Sequence, residues 1–325
     1  MTGPFEDYEV DPRLRPVASS YGFDLEAALS AVTVLEATVP RDAFTAASLG
    51  TERVGNGIVI GPEGLVLTIG YLLMEAEAVT LTTNDGRRVP AHVLGSDPVT
   101  GFGLLHALEP LNLPPLPIGD SRRLTAGSPV ILAGGGGRAH AAAGRVLSRQ
   151  PFAGYWEYLL DDAIITEPAH PHWSGAALIG AGGELMGVGS LTMQQQASDG
   201  AITSNNLFVP SDLLPPILDD LARGRPAHPP RPWLGLFAQE IGDHVIVANV
   251  SPGGPAARAE LRAGDAILAV GGVAVSDLAE FYRRMWACGP AGATIPLQVQ
   301  REEDVFALEV RSADRAAMLK KRRLN

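Results

Sequence analysis

The side chains that most often carry chemistry are few in this chain and widely scattered. There are seven histidines, at positions 92, 106, 140, 170, 172, 228 and 244, and one cysteine, Cys288. No two histidines stand at a ligand spacing such as His-Glu-x-x-His, and a lone thiol builds neither a disulfide framework nor a cysteine-rich centre. No metal and no cofactor is therefore expected, and Cys288 reads as a small core residue. The glycine run Gly134–Gly137 is followed by neither the lysine nor the Ser/Thr of a phosphate loop, so it reads as a connecting loop. What remains is hydroxyl chemistry, and a serine attacks a carbonyl only when a neighbour takes its proton. Lysine is confined to Lys320 and Lys321 in the tail, which closes off a Ser-Lys arrangement and leaves imidazole as the base to look for.

The elements that would position such groups are mainly β. Runs of Val, Ile, Leu and Thr punctuated by Gly, Pro and Asp recur from about Ile58 to Val209. GIVIGPEGLVLT and VTLTTNDGRRVPAHV each read as two strands around a tight turn. Many short strands at this spacing predict a sandwich or barrel rather than a βαβ sheet. Asp24 is placed to cap a short helix over 25–29, and Ser211 to cap one running to Arg223, where Gly224 stops it. GRPAHPPRP follows, a stiff linker and domain boundary. Beyond it, Trp233 to about Arg311 reads strand, strand, helix, strand, strand, helix, strand, strand, with helices at Pro255–Leu261 and Asp277–Cys288, an independent α+β module.

Bulk properties narrow the function. A chain of 325 residues suggests two or three domains. Its net charge of −11 and pI near 5.1 argue against nucleic-acid binding, which depends on Lys and Arg neutralising phosphate. No apolar run of about eighteen residues offers a membrane span. The basic tail Lys320-Lys321-Arg322-Arg323 reads as a solvated, frayed end. The first thirty residues carry early acids and no signal-peptide h-region, so a cytoplasmic location is expected unless a leader has been removed.

The segments GNGIVIGPEGLVLT, VLGSDPVTGFGLLHAL, PIGDSRRLTAGSPVILAGG, HWSGAALIGAGGELMGVGS and VPSDLLPPILDDLARG resemble, in order and spacing, the landmarks of HtrA-type serine proteases. NVSPGGPAARAELRAGDAILAVGGVAVSDLAEFYRRM resembles the PDZ domain that follows the protease domain in that family. The resemblance covers roughly residues 25 to 312. It implies a mainly β fold of two six-stranded Greek-key barrels, a site in the cleft between them and an α+β PDZ domain. The expected division is an arm at 1–24, the double barrel at 25–222, the linker at 223–232, the PDZ domain at 233–312 and the tail at 313–325. The family also implies trimers built through amino-terminal aromatics, for which Phe5, Tyr8, Tyr21 and Phe23 are the candidates.

Mapped onto this sequence, the family's catalytic residues are mostly gone. Its Thr-Asn-x-His-Val context is LTIGYLL here, with Tyr71 at the general-base position. Its Asp-Pro-x-Thr-Asp-Leu context is DPVTGFGLL, with Gly101 where the orienting carboxylate belongs. Its Gly-Asn-Ser-Gly-Gly-Pro context is PHWSGAAL, which keeps Ser174 and Gly175 and changes His172, Trp173, Ala176 and Ala177 around them. The oxyanion region at His172, Trp173 and Gly175 has lost the glycine two residues before the serine. His170 and His172 are near Ser174 in sequence, but that spacing on a turning chain does not by itself bring an imidazole to the hydroxyl. Asp161 and Asp162 in LLDDAI take structural roles, having no base to orient. In the PDZ domain, Trp233, Leu234, Gly235 and Leu236 resemble the loop whose backbone N–H groups hold a peptide's terminal carboxylate, with Phe281, Tyr282 and Met285 candidates for the groove beside it. The expected function is a pseudoprotease that binds peptide C-termini or unfolded segments. The alternative is a weak or conditional serine endopeptidase in which Ser174 uses a base foreign to the family.

Overall fold

The computed structural model describes residues 8–196 and 202–320. Short α1 (Leu25–Ser30) opens the folded part, with the Asp24 carboxylate accepting from the Ala27 N–H at 3.0 Å. Strands β1 (Val32–Thr38), β2 (Glu52–Val59), β3 (Leu65–Ile69), β4 (Ala78–Thr82), β5 (Arg88–Ser96) and β6 (Phe102–Ala107) close a barrel in the order β1-β2-β3-β6-β5-β4, and α2 (Ala46–Leu49) sits in the β1–β2 connection. A second barrel follows, of β7 (Pro129–Ala133), β8 (Ala141–Gly154), β9 (Tyr158–Glu167), β10 (Ala177–Ile179), β11 (Leu185–Gln196) and β12 (Ile202–Pro210), closed as β10-β11-β12-β9-β8-β7. Closure pairs every strand on both sides and leaves no edge. Leu132, Ile164, Leu178 and Phe208 meet in the interior of the second barrel, each such buried side chain contributing roughly 1.5–3 kcal/mol.

The helix expected over 211–223 is split. Residues Ser211–Leu213 form a 3₁₀ turn, and α3 (Pro215–Ala222) begins at two prolines, which lack the N–H groups needed to continue a helix but suit its first turn. The Ser211 hydroxyl does not cap; it donates to the Gly119 carbonyl at 2.9 Å.

In the module, β13 (Leu236–Ile241), β14 (His244–Val250), β15 (Ala266–Val270), β17 (Thr294–Arg301) and β18 (Asp304–Arg311) form a sheet in the order β13-β14-β15-β17-β18, and β16 (Val273–Ala274) pairs with β15. β17 buries Ile295, Leu297 and Val299 and exposes the residues between them, the period-2 signature of a strand with one face on a core. The first helix is one turn, α4 (Pro255–Arg258), ended by Glu260 at φ 60°. The second, α5 (Leu278–Ala287), is capped by Asp277, which accepts from the Glu280 N–H at 2.7 Å. Cys288, just beyond it, is free and half-buried.

The described residues resolve into two compact units: those up to Gln150 with those of Asp162–Ala227 and Lys320, and Pro151–Asp161 with His228–Leu319. This corrects the division expected from sequence in two places. Residues 151–161, the tip of the β8–β9 hairpin, belong with the module, because Leu159 and Ala153 pack into its core. Residues 313–319 belong there too, since Trp233 and Ala313 exchange backbone hydrogen bonds of 3.0 and 2.9 Å. Lys320 is not frayed: its ammonium pairs with Asp42 at 2.5 Å and its N–H donates to Glu75 at 2.7 Å. Lys321, Arg322 and Arg323 lie outside the described residues.

In the amino-terminal arm, Val10 donates to the Ala139 carbonyl at 2.8 Å, and Leu14 accepts from the Ala143 N–H at 2.7 Å. Tyr8 meets the edge of His172 at 5.5 Å, Tyr21 lies 5.4 Å from Phe23, and Phe5 lies outside the described residues.

Candidate active site and carboxylate loop

Ser174 sits in the connection between β9 and β10, clasped from the first barrel by Asn56 of β2. The Asn56 N–H and Nδ2 both donate to the Ser174 carbonyl at 2.8 Å, and Nδ2 also reaches the His172 carbonyl at 2.8 Å. Its Oδ1 accepts from the Gly135 N–H at 2.8 Å, so one wholly buried amide ties the serine loop and the glycine run to one strand. The next glycine, Gly136, donates to Asn84 at 2.7 Å, which makes Gly134–Gly137 a brace between barrels.

Tyr71, on the 3₁₀ turn that follows β3, reaches the serine. Its Oη lies 2.7 Å from Ser174 Oγ and 2.9 Å from the Ser190 carbonyl. A neutral phenol has one proton. Ser190 O can only accept, so Tyr71 donates there and the Ser174 hydroxyl donates to the phenol oxygen. Ser190 falls at the register shift of β11 between Gly189 and Leu191 and so has no partner residue on β12. Burial pushes the Tyr71 pKa well above its ordinary value, with the Ser174 bond opposing weakly.

Gly101 stands beside this turn, its carbonyl accepting from the Gly70 N–H at 2.7 Å. Its own N–H donates to the Asp97 carbonyl at 2.8 Å in a tight turn that holds φ at +85°. That is left-handed backbone, in which a carboxylate-bearing residue would be strained.

His170 is spent on structure. His170 Nδ1 accepts from the His172 N–H at 3.1 Å, so its proton is on Nε2, which donates to the His140 carbonyl at 2.9 Å. Both ring nitrogens are committed and the ring is 1% exposed. Burial lowers its pKa to about 4, and burial, then nearby His140, lowers that of His172 to about 4, so both are neutral at pH 7. The His172 N–H, two residues before the serine, is the donor expected in the oxyanion hole; it is turned onto His170 instead. Trp173 O accepts from Ala176 N–H at 3.0 Å and Gly175 N–H donates to Gly189 O at 2.8 Å. A cleft of about 310 Å³ remains over the site, bordered by Arg53, Gly55, Tyr71, His172, Trp173 and Ser174. Among the described residues no cluster of three His, Cys, Asp or Glu side chains is disposed to hold a metal. Asp161 pairs with Arg283 at 2.6 Å and Asp162 with Arg149 at 2.5 Å, both as surface ion pairs.

In the module, Gly235 takes φ +76°, which turns the N–H groups of Leu234 and Leu236 to one point. A carboxylate is there: Glu157, from the β8–β9 tip, accepts from Leu234 at 3.0 Å and Leu236 at 2.7 Å. Burial raises the Glu157 pKa to about 7, opposed by backbone donors from Leu236, Leu234 and Gly235. Phe281 and Met285 are 0% exposed, within the core, and Trp233 is buried beside the loop. Tyr282 between them donates to the Gly154 carbonyl at 2.8 Å. Sequence reasoning missed Asn56, Ser190 and Glu157. Only Asn56 left a signal, a polar side chain in the Val54–Val59 part of β2, whose other residues are Val, Ile and Gly.

Residues 55–188 match the trypsin-like peptidase domain and residues 232–311 the PDZ domain. The chain is 28% identical over 265 residues to a probable periplasmic serine endoprotease, DegP-like, of Halomonas elongata, covering 76% of this chain and 54% of that protein. It thus spans about half the length of that relative. Identity to the serine endoprotease DegS of Escherichia coli K12 is 29% over 285 residues, covering 81% of this chain and 77% of DegS. The solved structure of the HtrA-type protease AlgW with a decapeptide has a TM-score of 0.54 at 21% identity, covering 92% of this chain and 97% of that one. AlgW with a tripeptide gives 0.52 at 23%, covering 90% and 97%. With residues of the two closed six-stranded barrels matched to the first domain and the sheet after the linker matched to the second, the chain carries a trypsin-like peptidase domain followed by a PDZ domain, and its fold is similar to that of the HtrA-type protease AlgW.

Proposed function

We propose that this HtrA-type chain is proteolytically inactive and serves as a scaffold, holding peptides or unfolded protein segments through its PDZ domain and its degenerate cleft. The observation that carries the reading is the Ser174–Tyr71 contact at 2.7 Å. The serine proton is directed at a neutral phenol, which would have to ionise first to act as a base. A phenol of ordinary pKa is about one part in a thousand ionised at pH 7, and burial lowers that share. Loss of the base in a serine triad costs roughly a millionfold in turnover, and loss of one oxyanion donor a further ~10²–10³. Casein and a fluorogenic peptide incubated with the purified protein should show no cleavage above a Ser174→Ala control. Serine-dependent turnover would overturn the reading.

A conditional endopeptidase is supported by one observation, that Ser174 still borders an open cleft. Fluorophosphonate labelling of Ser174 would favour it, and a silent serine would leave it unsupported. For the PDZ domain, the carboxylate-binding loop supports peptide C-termini as partners, as do the peptides named with the AlgW structures. Homotrimer formation through the arm belongs to the same proposal and is read from the mass by light scattering before and after deletion of residues 1–23. The DegP-like relative is named periplasmic, and cell fractionation decides whether this chain shares that compartment.

A further inference from the structure

The carboxylate loop of the module is already filled. Glu157 presents its carboxyl group to the Leu234 and Leu236 N–H groups, which donate to it at 3.0 and 2.7 Å. Two residues earlier, the Tyr155 carbonyl accepts from the Ala238 N–H at 2.9 Å. Ala238 lies on β13, the end strand of the sheet, so the hairpin adds backbone to the same edge that an incoming peptide strand would use. On the helix side, Tyr282 of α5 donates to the Gly154 carbonyl at 2.8 Å, and its oxygen accepts from the Glu157 N–H at 3.2 Å. The segment thus lies between β13 and α5 with a carboxylate at its end, the three contacts that define a bound peptide terminus.

We infer that Glu157 is an internal stand-in for a peptide C-terminus, so that the β8–β9 tip latches the carboxylate loop and a free peptide carboxylate enters only by displacing it. The inference rests on reading the module as a binder of peptide carboxylates. A groove whose open state is rare binds its ligand more weakly by that fraction, so removing the latch raises affinity without touching any residue of the loop.

The test uses the full-length chain and its Glu157→Ala variant with two readouts. One is amide hydrogen exchange at Leu234 and Leu236. The other is binding of fluorescein-labelled decapeptides ending in Val, Leu or Phe with a free carboxylate, against the same peptides amidated. The expected result is exchange faster by about tenfold or more at both amides, with affinity for the free-carboxylate peptides raised by about tenfold or more and no gain for the amides. Unchanged exchange overturns the latch whatever the peptides do. Faster exchange with no peptide bound by either protein sinks the peptide-binding reading of the module, and with it the gating role of Glu157. Equal peptide affinity in both proteins sinks the latch and leaves peptide binding standing. Where the alanine variant fails to fold, Glu157→Gln keeps the shape and one acceptor oxygen while removing the charge, and the same outcomes apply to it with smaller changes.

Discussion

Deleting one oxygen atom tests the hydroxyl pair of the cleft. Tyr71→Phe keeps the half-buried ring and removes Oη, which accepts from Ser174 at 2.7 Å and donates to Ser190 at 2.9 Å. The two losses are unequal. Ser174 is partly exposed and borders the cleft, so water can take over its proton. Ser190 is 4% exposed and sits at the β11 irregularity, so its carbonyl loses its donor with no solvent to replace it. An orphaned buried acceptor costs roughly 1–3 kcal/mol and a solvent-compensated bond much less, which puts the total at about 2 kcal/mol. For a unit of this size that is a drop in Tm of about 4–8 °C. Urea and thermal unfolding give the loss, and a double-mutant cycle with Ser174→Ala isolates the pair, for which a coupling of about 0.5–1.5 kcal/mol is expected. A Phe variant within about 0.5 kcal/mol of the parent would refute the geometry. Fluorophosphonate labelling that appears only in the Phe variant would refute the chemistry, because Tyr71 would then be restraining a competent serine.

Two further outcomes follow from the same geometry. Tyr71→His should stay at the Ser174→Ala background in peptide cleavage, since Gly101 offers no carboxylate and the His172 N–H is spent on His170; the double change with Gly101→Asp should add a stability cost of about 1–3 kcal/mol from placing Asp at φ +85°, and brisk turnover by either variant would contradict the account. Stability should fall in acid: the His170 pKa is depressed to about 4, so between its ordinary value and about 4 the unfolded chain holds a proton that the folded chain does not, and up to roughly 3 kcal/mol present above about pH 6.5 is lost on descent through that window. Urea midpoints measured from pH 7.5 to 4 on the parent and a His170→Gln variant check this, since Glu157, with its raised pKa, acts in the opposite direction in both proteins, and the same pH slope for the two would argue against a buried neutral ring.

Much of the fold is legible in the sequence because it is written in local grammar. Period-2 burial in β17, Asp24 and Asp277 as caps and the prolines around 226–232 all act within a few residues of where they stand. The exchange at Tyr71 and Gly101 is equally local, and the structure brings both segments to one turn, with Tyr71 against Ser174. What the sequence does not disclose depends on partners distant along the chain. Which proton Ser174 gives, and to what, is fixed by Ser190, 119 residues from Tyr71. The fate of the oxyanion donor turns on the His170 tautomer. The role of Glu157 depends on a loop 77 residues further on, and nothing in YWEYL marks it apart from a surface acid between aromatics.

The module also lacks something within its own contiguous stretch. Part of its interior, Leu159 and Ala153, is made far upstream, so a fragment begun at His228 would be translated without a piece of its hydrophobic filling. Joining segments so far apart adds little to the equilibrium cost, since closure entropy grows only with the logarithm of the span, but it makes the module's core a contact of high sequence separation, which slows its formation.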